Sequence, residues 1–276
     1  MGNINFIQCS FTSGEVSPQI EGRVDLAKYG NSAATLNNVF VRVFGGAYRR
    51  PGTYYAQVTK YSSSPVRLIP FQFSTTQAYI IEAGEKYFRF YKDSGILETT
   101  SGVAVEITTP YLAVNLFELQ YAQDADTLYI THTGHPVKKL TRSSHYLWSL
   151  ADVDFIGGPW QPDNLDSGSY LKATGSTGTV SLIASGSYTF VTAGSSSLSG
   201  SLLRIGTSNG YVRVTGITNS GTAAATVIST LQSASATGFT TNWANGAWGV
   251  KAGYPQAVQF FEQRLYFAGS KAQPQT

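Results

Sequence analysis

The chain has 276 residues, of which 42% are hydrophobic and only 13% are charged, and its formal net charge is +3. This length allows one large or two modest domains with a sizeable core. The weak positive charge argues against the clustered basic surface of a tight nucleic-acid binder. Low charge with 17 Tyr, 15 Phe and 28 Gly is typical of a β-rich assembly subunit. Cys9, the single cysteine, excludes a disulfide within this chain.

Residues 1–53 are polar and rich in turn residues, and we interpret them as an N-terminal arm. From Phe11 to Thr53, Gly, Pro, Ser and Asn alternate with single charges of both signs. Ser32 is placed to cap a short helix over 33–38. A segment this polar is either disordered or held by specific contacts. The interspersed Val, Leu, Phe and Tyr favour specific contacts, so we expect the arm to pack on neighbouring subunits or an adaptor.

At residue 54 the pattern changes to short strands rich in aromatic and β-branched residues. The segments VRLIPFQF, QAYIIE and KYFRFYK predict three strands, with a hairpin connection at 82–85 and a turn at 93–95. VAVEIT, TLYITH and VKKLT predict three more strands. We assign residues 54–165 to the first part of a propeller-like antiparallel β domain.

A weak repeat supports the propeller. TQAYIIE, DTLYITH and QRLYFAG share two polar residues, an apolar residue, Tyr and a further apolar residue, centred on Tyr79, Tyr129 and Tyr266. The first two tyrosines lie 50 residues apart; the second gap of 137 falls to 52 once the 85 residues 166–250 are left out. A period near 50 suits a four-stranded propeller blade. Coincidence among tyrosine-rich strands is the alternative.

Residues 166–250 differ in composition, because no Asp or Glu occurs from Ser167 to Val250. The strand candidates TVSLIA, SYTFVTA, LLRIG, YVRVTGI and ATVIST follow one another at a spacing of about ten residues, with Gly and Ser between them. We therefore predict an inserted small β-sandwich that folds as a separate domain. Residues 251–276 return to the propeller-like domain.

The arm and the strands carry ordered motifs that resemble a known family. F-x-S-G-E-x-S-P, G-R-x-D-L-x-K-Y, N-N and G-G-x-x-R-R-P-G-T are followed by RLIPFQFSTTQAYIIE, YFRFYKDSG, TPY, LFELQYAQDADTLYITH, HPVKKLTR and RLYFAG. Together they resemble the tail nozzle (tail tubular or tail stabilisation) proteins of short-tailed bacteriophages. The resemblance covers roughly residues 11–160 and 255–276.

This resemblance implies a virion structural subunit without enzymatic activity or cofactor. It implies a ring of six copies below the portal and adaptor, contacts with tail fibres or spikes, and double-stranded DNA passing without sequence specificity. The host cytoplasm is the place of assembly, and no membrane insertion is expected. Family members extend past residue 276, so we expect a truncated chain. The assembly residues it singles out are Phe11, Gly14, Glu15, Pro18, Arg23, Asp25, Tyr29, Asn37, Asn38, Arg49, Arg50 and Pro51.

For Arg49 and Arg50 we favour a structural or intersubunit ion pair over contact with DNA phosphate. A local pair with Glu15 or Asp25 is the simpler interpretation.

His132 and His135 have a metal-ligand spacing, but they lie beside Gly134 and Pro136 without a second ligand cluster, so we predict no metal site. The pairs Asp124/Asp126, Asp152/Asp154 and Asp163/Asp166 are more typical of turns than of glycosidase carboxylates.

Two other functions remain open from the sequence. A carbohydrate-binding adhesin or tailspike-like module would stack a sugar on Trp243 and Trp248 of NWANGAWGV. The simpler interpretation is that these two residues seal the exit of the inserted domain. A plain β-rich binding module is the third alternative.

Overall fold

The computed structural model describes residues 7–100, 102–190, 198–232, 238–250 and 252–271. Strands make up most of its regular structure, which confirms the predicted mainly-β class. The chain divides into two compact units, Met1–Tyr55 and Ala56–Thr276. Residues 166–250 belong to the second unit and do not separate from it. No helix in the described part of the chain has the length and hydropathy of a membrane span.

The first unit consists of turns, two short 3-10 helices and two small sheets. β1 pairs with β2 in parallel, and β3 pairs with β4 as an antiparallel hairpin. Ser17 caps the first 3-10 helix by accepting a hydrogen bond from the Gln19 amide. The strands are β1 (Gly14–Glu15), β2 (Ser32–Ala33), β3 (Val39–Val41) and β4 (Ala47–Arg49), and the 3-10 helices are Pro18–Ile20 and Tyr29–Asn31.

The predicted helix over 33–38 is wrong. The Ser32 hydroxyl donates to the Tyr29 carbonyl and caps no helix. Ala33 pairs with Glu15, and the Glu15 carboxylate accepts a hydrogen bond from the Leu36 amide. These contacts satisfy backbone groups that a helix would have satisfied internally, and Thr35 and the two asparagines have low helix propensity.

The second unit begins with two antiparallel meanders. The first runs β11-β7-β6-β5, with β8 also paired to β7, and the second runs β12-β13-β14-β15. β9 and β10 form a small hairpin, and a 3-10 helix, Ala113–Asn115, lies between the meanders. The strands are β5 (Arg67–Gln72), β6 (Ala78–Gly84), β7 (Tyr87–Lys92), β8 (Gly95–Ile96), β9 (Glu98–Thr100), β10 (Val103–Ala104), β11 (Glu106–Thr108), β12 (Gln120–Asp124), β13 (Thr127–His132), β14 (His135–Arg142) and β15 (Trp148–Asp152).

The predicted hairpin and turn are present. The chain reverses at Glu85 and Lys86 between β6 and β7, so the connection starts three residues later than the predicted start at Glu82. Asp93 and Ser94 both have positive φ and connect β7 to β8, as in a tight two-residue hairpin.

The two meanders and a later hairpin pack as three layers. Alternate residues of the first meander, such as Phe71 and Ile81, share one core with Leu128 and Ile130 of β13. The opposite face of β13 carries Tyr129, which packs against Phe260 and Phe267 of the hairpin β22 (Ala257–Phe261) and β23 (Arg264–Ala268).

The three repeat tyrosines occupy equivalent places in these layers. Tyr79, Tyr129 and Tyr266 each lie in the second strand of their layer. Tyr79 faces Trp148 of the second meander, and Tyr129 faces the hairpin. Tyr266 is exposed on the far side of the hairpin. Tyr129 and Tyr266 therefore point away from the layer that precedes each of them.

Six described strands between residues 169 and 245 form one antiparallel sheet, in the order β16-β17-β20-β19-β18-β21, instead of the predicted two-sheet sandwich. Leu171 of β16 and Thr240, just before β21, exchange two backbone hydrogen bonds, so the outer strands meet. This closure lets one sheet enclose its own core of Leu, Val, Ile and Ala. The strands are β16 (Ser169–Ala173), β17 (Thr179–Gly186), β18 (Leu202–Ile205), β19 (Tyr211–Asn219), β20 (Thr222–Ser229) and β21 (Trp243–Asn245).

Four of the five strand candidates predicted in this region are strands. The fifth, SYTFVTA, is not: residues 187–190 are irregular, and 191–193 lie outside the described residues.

Candidate functional site

The motif residues of the first unit hold one another in a defined local structure. The Phe11 amide donates to the Gly45 carbonyl at 2.8 Å, and the Tyr29 hydroxyl accepts from the Gly22 amide at 2.9 Å. Asn38 accepts from Arg50 twice, through its side chain at 2.7 Å and its carbonyl at 3.0 Å. Side-chain and backbone hydrogen bonds therefore replace a core in fixing this unit.

Two motif positions require special backbone geometry. Gly45 has φ of 99°, and a Cβ there would lie 2.7 Å from the Ser10 hydroxyl oxygen, so only glycine fits without rearrangement. Asn38 has φ of 58°, a left-handed conformation that asparagine tolerates better than most residues. Pro18 occupies the first turn of its 3-10 helix, where its missing N–H costs nothing.

The charged residues of this unit are exposed. Arg23 and Asp25 form a two-bond ion pair at 2.8 and 2.6 Å, and the Arg23 hydrogen bond lowers the pKa of Asp25. Neither Arg49 nor Arg50 pairs with Glu15 or Asp25, so the local ion pair is wrong. Asn37 and Pro51 are also exposed. The structure thus leaves the Arg49 guanidinium at the surface of this unit.

The first unit has no apolar core among its described residues. Only Ser32 and Gly45 are buried there. Val43 and Phe44 are 90% and 96% exposed, in the turn that joins β3 to β4. Phe40 and Tyr48 pack on each other across this hairpin with 5.8 Å between ring centroids, and both are about half exposed. The exposed apolar residues of the unit are Ile7, Val24, Leu26, Phe40, Val41, Val43, Phe44, Tyr48, Tyr54 and Tyr55.

The histidines have partners of their own. His132 contacts the Glu118 carboxylate at 3.0 Å through Nε2, and its Nδ1 accepts from the Gly134 amide. Burial lowers the pKa of His135, and nearby His132 and Lys138 lower it further. No group of three or more His, Cys, Asp or Glu side chains suited to a metal ion occurs among the described residues.

The aspartates considered as glycosidase carboxylates serve mostly as ion-pair partners. Asp126 pairs with Arg142, Asp152 with Lys138, Asp154 with Arg213 and Asp163 with Arg204. Asp166 accepts hydrogen bonds from the Gly168 amide and the Ser187 hydroxyl, which lower its pKa. This arrangement is what turn and surface aspartates commonly show.

The two tryptophans have different surroundings. Trp243 is 9% exposed, packs edge-to-face on Tyr188, and donates its indole N–H to the Ser169 carbonyl at 3.2 Å. It belongs to the core of the six-stranded sheet, so it is not exposed for the ligand stacking that the adhesin alternative required. Trp248 is half-buried against Phe155 and Phe267 and lines a cleft.

Neither the profiles of known protein families nor the curated proteins gave a match to this chain. The resemblance of the arm and strand motifs to tail nozzle proteins therefore stays a prediction.

Proposed function

We propose that this chain is a subunit of the tail nozzle of a short-tailed bacteriophage. Copies of it close into a ring, six as the resemblance implies, attached to a tail adaptor and contacting tail fibres or spikes. Double-stranded DNA is retained and released through the ring. The chain acts as a structural component of the virion, assembled in the host cytoplasm, and not as an enzyme.

The observation that carries this proposal is the first unit, residues 7–55. Its motif residues fix its conformation by hydrogen bonds, while its apolar side chains, Val43 and Phe44 above all, find no core. Apolar side chains gain free energy only when they leave water, and exposed apolar patches mark interaction surfaces. A second copy of the chain is the partner we assign, because a closed ring lets every subunit cover the same patch on its neighbour.

The exposed apolar residues of the second unit also support the proposal. Its three-layer stack ends in two outward faces that carry exposed apolar residues, Leu68 and Ile80 on the first meander and Phe261 and Tyr266 on the hairpin. The low net charge fits a conduit, because each phosphate contact adds salt-sensitive affinity and would slow passing DNA. The adhesin alternative loses one of its two stacking residues, since Trp243 is buried.

Mass photometry of the full chain and of a variant lacking residues 1–53 tests the proposal. We expect the full chain to form a closed oligomer of one size and the deletion variant to stay monomeric with unchanged β-sheet circular dichroism. A second, smaller change replaces both Val43 and Phe44 by Ser. Its matched control replaces both Ile156 and Leu165 by Ser, at exposed positions of the second unit. Rings of normal size from the deletion variant would refute the role of the first unit.

A further inference from the structure

A cleft in the second unit has the composition of a ligand site. Its volume is about 390 Å³, and its walls come from β14, from the end of β15 and the segment after it, from residues 199–202 at the start of β18, from β19 and from the segment between β21 and β22. Small-ligand sites usually measure about 300–1,000 Å³, with apolar walls and a few convergent polar groups. This cleft brings together residues from 136 to 254 that are far apart in the sequence.

One wall of the cleft is aromatic. Trp248 and Phe155 pack edge-to-face with 4.7 Å between ring centroids, and Phe267 supports both rings from behind at 6.1 and 5.4 Å. Tyr254 also lines the cleft, and its backbone amide donates to the Thr133 carbonyl. The rings are therefore held in place by neighbours and are not free to collapse into the cleft.

The lining of the cleft also includes an ion pair. Arg213 forms an ion pair with Asp154, and both residues line the cleft. The Arg213 Nε atom is buried yet has no hydrogen-bond partner within the described ranges. A buried donor without an acceptor is costly and rare in native proteins. Because Nε itself is shielded from solvent, a bound molecule would reach Arg213 through the exposed part of its side chain, which is 33% exposed.

The charges select the class of ligand. Two carboxylates, of Asp152 and Asp154, line the cleft with the Arg213 guanidinium, and both are paired, Asp152 with Lys138 and Asp154 with Arg213, so the cleft offers an anionic ligand no unpaired positive charge. A purely apolar ligand would leave the ion pair in a poorly solvated place. Hydroxyl groups donate to carboxylates and accept from guanidinium, and the C–H face of a sugar ring packs on aromatic rings. We propose that this cleft binds a neutral saccharide, with Trp248 as the stacking residue and Asp154 and Arg213 as the hydroxyl partners.

The test uses the full chain and saturation-transfer NMR with methyl glucoside, galactoside and mannoside, maltose, lactose and cellobiose. At least one should receive saturation and quench tryptophan fluorescence in a titration. Asp154→Asn should weaken that binding at least about tenfold, since it removes a charged hydrogen-bond partner. Asp163→Asn is the matched control, because Asp163 pairs with Arg204 in the same way but does not line the cleft. Control affinity should be unchanged.

Trp248→Ala should abolish binding. If the alanine variant fails to fold, Trp248→Phe replaces it in the test, because phenylalanine keeps an aromatic ring at this position. Absence of saturation transfer to all six saccharides would overturn the proposal, and so would equal loss in the Asp154 and Asp163 variants. Binding of inorganic phosphate or sulfate at this cleft would also overturn it. Ring assembly is not measured here, so failure would leave the proposed nozzle function untouched.

Discussion

At the scale of single residues, Arg142 shows how a charge can enter the core of the second unit. Its guanidinium bonds the Asp126 carboxylate at 2.7 Å and the Tyr79 hydroxyl at 3.3 Å, and it lies 4.5 Å from the centre of the Phe73 ring. Its side chain is 8% exposed, whereas that of Asp126 is 37% exposed. The residue therefore ties the turn after β12 to the first meander through Tyr79.

We expect Arg142→Ala to lower the free energy of unfolding by about 2–3 kcal/mol. Removing one partner of a buried pair costs about 3–5 kcal/mol, and partial solvation of Asp126 reduces that cost. Urea denaturation of the full chain measures it. Arg264→Ala, which removes an exposed charge from β23, should change stability by no more than about 0.5 kcal/mol. If both substitutions lower the free energy of unfolding equally, the buried contacts of Arg142 add no more stability than an exposed surface charge does.

At the scale of elements, strands were predictable where their pattern is local. β5 alternates buried Ile69 and Phe71 with exposed Leu68 and Pro70, and its run of apolar, aromatic and β-branched residues predicts the strand although all four residues are apolar. The short helix over 33–38 failed because Glu15, 21 residues earlier than Leu36, satisfies the backbone there. No local pattern reports such a contact.

The closure of the six-stranded sheet was not predictable, and neither was the cleft, because both depend on contacts between residues far apart in the sequence. Leu171 bonds Thr240 across 69 residues of chain, and the cleft combines Asp154, Arg213 and Trp248. In the sequence, Asp154 stands only as one of a pair with Asp152, and Arg213 only as part of a predicted strand. Their meeting depends on packing between elements, which composition and spacing do not encode.

The six-stranded sheet depends on the segment that precedes it, which gives a prediction about fragments. The Gly157 amide donates to the Tyr211 hydroxyl, Gln161 to the Asn245 carbonyl, and the Asn164 side chain to the Thr241 carbonyl. We expect residues 154–250 alone to melt cooperatively and to give dispersed amide NMR signals. Residues 166–250, which lack these contacts, should melt at least about 5 °C lower.

Equal melting temperatures for the two fragments would mean that residues 154–165 contribute nothing to the sheet. A random-coil spectrum from both would show that this sheet folds only with the rest of the second unit.

At the scale of the whole molecule, the weak net charge predicts the affinity for DNA, and the exposed Arg49 predicts an effect on assembly. We expect binding to duplex DNA with a dissociation constant of ~10⁻⁴ M or weaker at physiological salt, falling steeply as salt rises. Replacing Arg49 and Arg50 together by Ala should impair ring assembly more than DNA affinity. A carboxylate left unpaired in a protein interface costs roughly 2–5 kcal/mol, whereas counterions replace a lost phosphate contact.

Fluorescence anisotropy with a labelled duplex and mass photometry measure the two effects on one sample. Lys139→Ala with Lys271→Ala is the control, because it removes two exposed positive charges outside the first unit. Sub-micromolar binding that disappears in the Arg49 and Arg50 variant while rings persist would assign these residues to DNA instead.

The bond pair between Leu171 and Thr240 has a consequence for solubility. An open sheet presents unpaired N–H and C=O groups along its outer strands, and proteins usually guard such strands with charges. From Ser167 to Val250 the sequence offers no carboxylate for that purpose. Because β16 bonds to the residues before β21, some backbone N–H and C=O groups of the two outer edges are paired within the chain. These groups are then not available to pair with a strand of another copy. The closure thereby reduces the backbone available for amyloid-like pairing between copies of the chain at high concentration.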